Sequence, residues 1–185
     1  MEIQKLTEVL IAHISRKTGI TGKGLAVADR ADHFLLMFGD TVGGGEYERV
    51  QLDDRAGDTY YIRLKDGKIE EAKISGSTRG ATVNSASRVT ARCRLVAQSN
   101  TQALGALAYN FRNALASFEE PAIQSENIFA AGVSIRAILF DFTTIFYEES
   151  TAAEREGGTG WEGNMQICAV DFDLNFTLET CLKSC

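Results

Sequence analysis

The sequence predicts an α+β fold in a single domain, residues 1–185, with a largely antiparallel β-sheet, an N-terminal helix and one long helix packed on the sheet. Three stretches support this fold class. Residues 88–97 alternate between apolar and polar side chains, as a strand with one buried face does. Residues 104–118 repeat apolar side chains at helical spacing. Residues 167–178 alternate again, and they predict the closing strand.

The N-terminal half begins with a predicted helix over residues 2–17, which two basic residues and Gly19 end. Short strands are expected at residues 25–28, 46–52, 58–64 and 69–74. Residues 34–38 are apolar throughout, so they suit either a buried strand or a turn of helix. A hairpin turn at 53–57 and a tight turn at 65–68 would join the later strands.

Two segments predict loops. Residues 75–87 carry small polar side chains with little to bury, so we expect a mobile loop or arm. This arm is either a plain linker or a segment that orders against a neighbouring subunit. Residues 151–164 contain four Gly and the only Trp, and they predict a Gly-rich exposed loop. There Trp161 would either cover the core or anchor an interface.

The C-terminal half is predicted to place its apolar strand faces against the long helix. That helix ends before Pro121, and a strand over residues 133–141 runs on through 142–149. In the closing strand Asp171 and Asp173 share the polar face. A solvated face explains this pair better than a metal or acid site, because no third ligand accompanies it.

The composition and the spacing of residues argue against several classes of function. The net charge of −6 argues against general nucleic-acid binding. Gly43–Gly45 lacks the spacing of a phosphate-binding loop, so no cofactor is expected. The four Cys show no C-x-x-C spacing and only two His accompany them, so we expect no metal site. Neither a signal peptide nor a membrane span is expected, and no catalytic residue is assigned.

The order of elements in the second half resembles a known family. An Arg-rich strand at 88–97 precedes a helix of small and apolar residues, and a stretch ending Ile145-Phe-Tyr-Glu-Glu149 follows. A Gly-rich loop then leads to the closing strand at 167–178. This arrangement is similar to that of the phage tail terminator and head-to-tail joining (tail completion) proteins, which are small α+β subunits that assemble as rings.

The resemblance implies a non-enzymatic structural subunit of a phage or prophage tail. Its partners would be further copies of itself in a homo-oligomeric ring, for example a hexamer, and tail tube or head connector proteins. DNA would pass without sequence-specific binding and no membrane would be involved. The protein would be located in the virion, which is assembled in the host bacterial cytoplasm.

In such a ring the arginines of the strand at 88–97 can pair with an acidic row of a neighbour, either Glu148 and Glu149 or Asp171 and Asp173. Alternatively, these arginines pair within the subunit or face water. The candidate subunit-interface residues are Arg88, Arg92, Arg94, Glu148, Glu149 and Trp161.

Two other function classes stay open. The chain can be a small α+β ligand-binding or protein-interaction domain of a bacterial cytosol, which predicts a monomer or dimer with a closed pocket. It can also be a hydrolase that uses carboxylates or a Cys nucleophile. The latter would need one of the four Cys to be activated by His13 or His33, and no spacing in the sequence supports such a pair.

Overall fold

The structure, a computed structural model, describes residues 2–30, 33–37, 48–49, 57–74, 78–79, 82–123, 127–149 and 165–182. These ranges form one α+β domain with three helices and nine strands. The helices are α1 (Glu2–Thr18), α2 (Leu104–Ala116) and α3 (Phe142–Glu149). The strands are β1 (Thr21–Arg30), β2 (His33–Met37), β3 (Glu48–Arg49), β4 (Thr59–Ile74), β5 (Thr78–Arg79), β6 (Thr82–Ser99), β7 (Glu119–Ile123), β8 (Ile128–Leu139) and β9 (Gln166–Leu182).

The strands form one mixed sheet. Its order is β3-β2-β1-β4-β6-β9-β8-β7, and β5 pairs with β6 beside this path. β1 and β4 run parallel, whereas the other pairs are antiparallel. The α+β prediction is therefore confirmed, and the largely antiparallel sheet contains one parallel pair.

The predicted central strand and closing strand are confirmed as neighbours. β6 pairs with β9 in unbroken register from Val83–Leu182 to Ser99–Gln166. The apolar residues that alternate from Val89 to Ala97 and from Cys168 to Leu178 face the same side of the sheet, as predicted. Most of them are fully buried, among them Leu95 and Phe172.

Both predicted helices are confirmed, and they cover this apolar face. From α1, Leu6, Leu10 and Ile14 enter the core, while α2 contributes an apolar stripe that includes Phe111 and Leu115. The N-terminal helix is the longer of the two, with 17 residues against 13. No helix in the described ranges is long and apolar enough to cross a membrane.

The predicted tight turn at residues 65–68 is wrong. These residues lie within the single long strand β4. Leu64 is opposite Cys93 and Ile69 is opposite Ala91, so five steps along β4 match two steps along β6. The extra residues form a bulge, which keeps both flanking segments paired to β6.

The predicted strand at residues 142–149 is also wrong, because these residues form helix α3. The Asp141 carboxylate accepts a hydrogen bond from the Thr143 amide at 3.2 Å and another from the Thr144 hydroxyl at 2.6 Å. The rings of Phe142 and Phe146 stack one turn apart, with centroids separated by 5.7 Å. A capped start and an i,i+4 aromatic pair therefore outweigh the strand preference of these aromatic and β-branched residues.

Within the segment 75–87 the structure describes residues 78–79 and 82–87, and all of these belong to strands β5 and β6. At these positions the expected loop is therefore a strand. Of the apolar run at 34–38, residues 34–37 lie in strand β2, so the strand is the alternative observed there. The predicted hairpin at 53–57 is wrong, because β3 pairs with β2 whereas β4 pairs with β1 and β6, so the two described strands that it would join are not neighbours. The Gly-rich loop at 151–164, with Trp161, and residues 53–56 themselves lie outside the described residues.

Candidate functional site

The face of the sheet opposite α1 and α2 carries a charged cluster beneath helix α3. Strand residues alternate between faces, so Arg63 of β4, Arg94 of β6, and Asp171 and Asp173 of β9 all lie on this side. Helix α3 packs here through Ile145, which joins a small apolar cluster that includes Val96 and Ala169. The polar face is therefore a covered face.

Glu149, the last residue of α3, is the centre of the first part of the cluster. Its carboxylate accepts hydrogen bonds from Arg63 Nε at 2.9 Å and from Arg63 Nη2 at 2.7 Å. It also accepts one from the Tyr61 hydroxyl at 2.8 Å, and Arg94 Nη1 lies 3.4 Å away. The Glu149 side chain is 0% exposed. The end of α3 is thus fixed to the sheet by buried charge-assisted hydrogen bonds.

Arg94 connects α3 to β9. Its Nε and Nη2 atoms donate to the two carboxylate oxygens of Asp171 at 2.6 and 3.0 Å, and Nη1 also pairs with Glu148. Lys65, from the bulge in β4, donates to Asp171 Oδ2 at 2.6 Å.

Three cations and three carboxylates make up this first part of the cluster, so their formal charges cancel. They are Arg63, Lys65, Arg94, Glu148, Glu149 and Asp171. Buried charges persist in proteins when they are neutralised and hydrogen-bonded in this way. The cluster accordingly fixes α3 on the sheet.

Protonation in the cluster follows from these contacts. Burial alone would raise the pKa of Asp171, but the hydrogen bonds from Arg94 and Lys65 hold this pKa below its ordinary value. Burial and the negative charge of Glu149 raise the pKa of Tyr61 well above its usual range. Asp171 is therefore ionised at neutral pH and Tyr61 is neutral.

A second part of the cluster surrounds Asp173. Arg136 of β8 donates to Asp173 Oδ2 through Nε at 2.7 Å and through Nη2. The other oxygen, Oδ1, is buried and has no hydrogen-bond partner among the described residues. Arg92 lies directly opposite Asp173 in the β6–β9 register, yet its Nη2 atom lies 3.6 Å from Glu70 Oε1. Asp173 thus keeps one acceptor unused.

A cleft of about 260 Å³ opens over this second part. The charged side chains that line it are Lys65, Arg92, Arg136, Asp171 and Asp173. Their formal charge sums to +1, in a chain whose net charge is −6. Glu70, which lies 3.6 Å from Arg92, balances this charge, so the cleft is lined by ion pairs.

The structure corrects the expectation for the two aspartates of β9. Asp171 and Asp173 do not lie on a solvated face; both are buried and paired with basic side chains. For Arg94 the alternative of pairing within the subunit is the one observed, and Glu149 is buried with it. Neither side chain is available at the surface for a neighbour.

The other predicted interface residues differ in position. Arg88 and Arg92 are exposed, the Glu148 side chain is partly exposed, and Trp161 lies outside the described residues. Sequence reasoning missed Arg63 and Lys65. The alternation of residues 60–65 could have predicted their position, because it places both cations on the face opposite Tyr60 and Ile62.

The buried cysteines are core residues. Burial raises the pKa of Cys93 to about 12, with a further contribution from Asp173, and burial alone raises the pKa of Cys168 to about 12. Neither thiol ionises at neutral pH, as a nucleophile would have to. His13 of α1 contacts α2, because its Nε2 atom lies 3.1 Å from the Ala114 carbonyl oxygen.

In the part of the cluster near α3 the formal charges cancel, whereas the cleft beside it presents charged groups to solvent. No three His, Cys, Asp or Glu side chains in the described ranges are placed to hold a metal ion. No protein-family model matches the sequence, and no curated protein shows significant similarity to it. Function is therefore inferred from the chain's own residues and geometry.

Proposed function

We propose that this chain is a non-enzymatic structural subunit of a phage or prophage tail, of the ring-forming tail terminator or head-tail connector type. The order of elements between residues 88 and 178 suggests the family. The observation that carries the proposal is an extension of the three central strands beyond the part of the sheet that the helices cover. We call this region, residues 69–74 of β4, 82–88 of β6 and 177–182 of β9, the strand extension.

In the strand extension the side chains that the structure describes are exposed or only partly buried. Its strands stay paired from Ala72–Arg88 to Ile74–Ala86, and from Ser87–Leu178 outward to Val83–Leu182. Residues 69–73 are nevertheless all exposed, including the apolar side chain of Ile69. Long paired strands with exposed apolar side chains gain stability when a neighbouring subunit lies against them. In a closed ring every subunit has such a neighbour.

The net charge suits the proposed partners. A ring at the end of a tail contacts tail tube or head connector proteins and lets DNA pass through its centre. An acidic lumen repels phosphate groups, so a chain with a net charge of −6 would let DNA move without binding it. The proposed location is the virion, after assembly in the bacterial cytoplasm.

The test is the native mass, measured by size-exclusion chromatography with light scattering over a range of protein and salt concentrations. We expect one discrete species well above the dimer, and electron microscopy of that species should show closed rings. A chain that stays monomeric at every concentration, and also in the presence of tail tubes or portal complexes, would contradict the proposal.

A second candidate is a small ligand-binding or protein-interaction domain. The charged cleft of about 260 Å³ favours it, because charged groups in a concave site can orient a small polar ligand. It predicts a monomer or dimer whose melting temperature rises on adding a ligand. A melting screen with charged metabolites, run beside the mass measurement, separates the two candidates.

A further inference from the structure

We propose that two open edges of the sheet pair with each other between copies of this chain. Residues 69–74 of β4 in one copy, the β4 edge, form an antiparallel ladder with residues 133–139 of β8 in the next copy, the β8 edge. The inference rests on the proposed ring function and names the contact that would join neighbouring subunits. Three observations support it: the open backbone of both segments, their directions and their offset along the sheet.

Each of the two segments has a strand partner on one side only. β6 pairs with the β4 edge, whereas β1 pairs with β4 only between Thr59 and Arg63. β9 pairs with the β8 edge, whereas β7 pairs with β8 only between Ile128 and Gly132. Among the described strands, the outer N–H and C=O groups of both segments therefore have no ladder partner. Such a row of backbone groups is a template for pairing with another chain.

A strand from a neighbour can reach both edges. Residues 69–73 are all exposed, so both faces of the β4 edge are open to solvent. On the β8 edge Ser134, Arg136 and Ala137 are exposed. Neither edge contains Pro, so every residue of both segments has a backbone N–H donor. The two segments are also of nearly equal length, which is that of an ordinary strand.

The directions of the strands suit this contact. Each step across the sheet from β4 through β6 and β9 to β8 is antiparallel, so β4 and β8 run in opposite directions within one subunit. Where the sheets of neighbouring subunits lie side by side around a ring axis, each subunit keeps these directions. The β4 edge of one copy therefore meets the β8 edge of the next in an antiparallel ladder, which is the more stable of the two arrangements.

The two edges are offset along the strands. Ile69 of β4 lies opposite Ala91 of β6. Ala91 in turn lies opposite Leu174 of β9, which pairs with Val133 of β8. From this common level the β4 edge runs towards one end of the sheet and the β8 edge runs towards the other. A sheet that closes around an axis needs such a stagger, because its strands tilt relative to that axis.

Pairing of two like edges would explain less. An antiparallel pair of two β8 edges would place Arg136, the middle residue of the segment, directly opposite its own copy, and like charges in that position destabilise a ladder. A pair of two β4 edges would leave both β8 edges open. Head-to-tail pairing covers both edges of every subunit, and it is the kind of contact that closes a ring.

The test blocks one edge at a time with Pro, which removes an N–H donor and does not fit between paired strands. Adjacent residues of a strand point their N–H groups to opposite sides, so two neighbouring positions are replaced on each edge. The variants are Glu71→Pro and Ala72→Pro on β4, and Ala137→Pro and Ile138→Pro on β8. In each pair, the variant with the higher melting temperature is the one that lost the outward donor. We expect sedimentation velocity to show a dissociation constant at least tenfold higher for that variant.

Mixing the two blocked chains distinguishes head-to-tail pairing from pairing of like edges. Each chain keeps the edge that the other has lost. At concentrations where the unchanged protein is assembled, each should therefore be monomeric alone, and an equimolar mixture should form a dimer and nothing larger. A β4-blocked chain that dimerises alone would show pairing of two β8 edges, and a β8-blocked chain that does so would show pairing of two β4 edges.

The control is Gly105→Pro in the first turn of α2, where Pro is tolerated and nothing lies within 4 Å of the Cβ position. Its dissociation constant should stay within about twofold of that of the unchanged protein, because it lies on neither edge. Either dimer of like edges, or a mixture that stays monomeric, would overturn this contact while the ring proposal stands. An unchanged protein that never associates would instead remove the ring proposal and this contact together.

Hydrogen exchange of the unchanged protein tests the same ladder without any substitution. The outward amides of residues 69–74 and 133–139 should exchange at least tenfold more slowly in the assembled protein than in a dilute monomer, because they gain hydrogen-bond acceptors from the neighbour. Equal exchange rates in the two states would overturn the contact even if every Pro variant failed to fold.

Discussion

Glu149 accepts hydrogen bonds from both Tyr61 and Arg63, and it also lies beside Arg94. Glu149→Gln keeps the size of the side chain but removes a negative charge that lies beside two buried guanidinium groups. We expect the free energy of unfolding in urea to fall by roughly 3–5 kcal/mol. The control is Glu148→Gln, whose side chain is 44% exposed and should cost about 1 kcal/mol or less. Equal losses would contradict a special role for Glu149.

Asp171 links the stability of the protein to pH. Its pKa in the folded chain lies below the ordinary value of 3.8, which the unfolded chain keeps. The ionised form therefore stabilises the fold above pH 3.8, and this stabilisation is lost as the pH falls through the folded pKa. Urea unfolding between pH 7 and pH 3 should show a steeper loss in the unchanged protein than in Asp171→Asn. Parallel curves for the two proteins would contradict the prediction.

The sequence predicted which residues share a face but not what covers that face. The alternation in β6 and β9 correctly places Arg94 and Asp171 on the polar side. Their burial depends on α3 and on the bulge at Lys65, which arrive from distant parts of the chain. The alternation of apolar and polar residues shows which side chains share a face, but not which distant residues contact them. The sequence therefore predicted a polar face exposed to solvent.

Helix α3 depends on its cap. Asp141→Ala removes the acceptor for the Thr143 amide and the Thr144 hydroxyl, so the first turn of the helix should fray. We expect faster hydrogen exchange of the amides in residues 143–146 and a lower free energy of unfolding. Asp141→Asn keeps a capping oxygen and should exchange more slowly than the Ala variant. Identical exchange in both variants would show that the cap is unimportant.

The contact of α1 with the sheet depends on a missing side chain at Gly22 of β1. A Cβ atom there would lie 2.6 Å from Tyr60 Cζ and 2.7 Å from Ile11 Cγ2. Gly22→Ala should therefore lower the free energy of unfolding by about 1–3 kcal/mol, as overpacking does. Gly105→Ala is the matched control, because nothing lies within 4 Å of its Cβ position and Ala favours the helix. Urea titration of both variants checks the prediction, which fails if Gly22→Ala is as stable as Gly105→Ala.

Two elements could not be assigned correctly from local pattern. Residues 65–68 contain Asp66-Gly67 and look like a turn, but long-range pairing with β6 on both sides makes them a bulge. Residues 142–149 are rich in aromatic and β-branched side chains and look like a strand. The stronger signals were Asp141 before the segment and aromatic residues four apart, which point to a capped helix.

At the scale of the whole molecule, the fold class followed from the sequence because of two long apolar patterns. The apolar stripe of α2 and the apolar face of β9 each need an apolar surface to pack against, and each provides it for the other. The parallel pairing of β1 with β4 did not follow, because strand direction in a sheet depends on the path of β2 and β3 between them. The proposed assembly surface is a property of the same scale. It involves strands that continue past the core that one chain provides.

The last prediction concerns that strand extension. Deleting residues 78–84 removes β5 and the first residues of β6, and leaves Ser75, Gly76, Ser77 and Ser85 to join Ile74 to Ala86. Four residues are enough to close a hairpin, so the fold should persist with a melting temperature close to that of the full chain. Self-association should weaken, because the deletion shortens the surface offered to a neighbour. Light scattering at matched concentrations measures the effect, and a native mass equal to that of the full chain would rule out a role for this end of the extension in assembly.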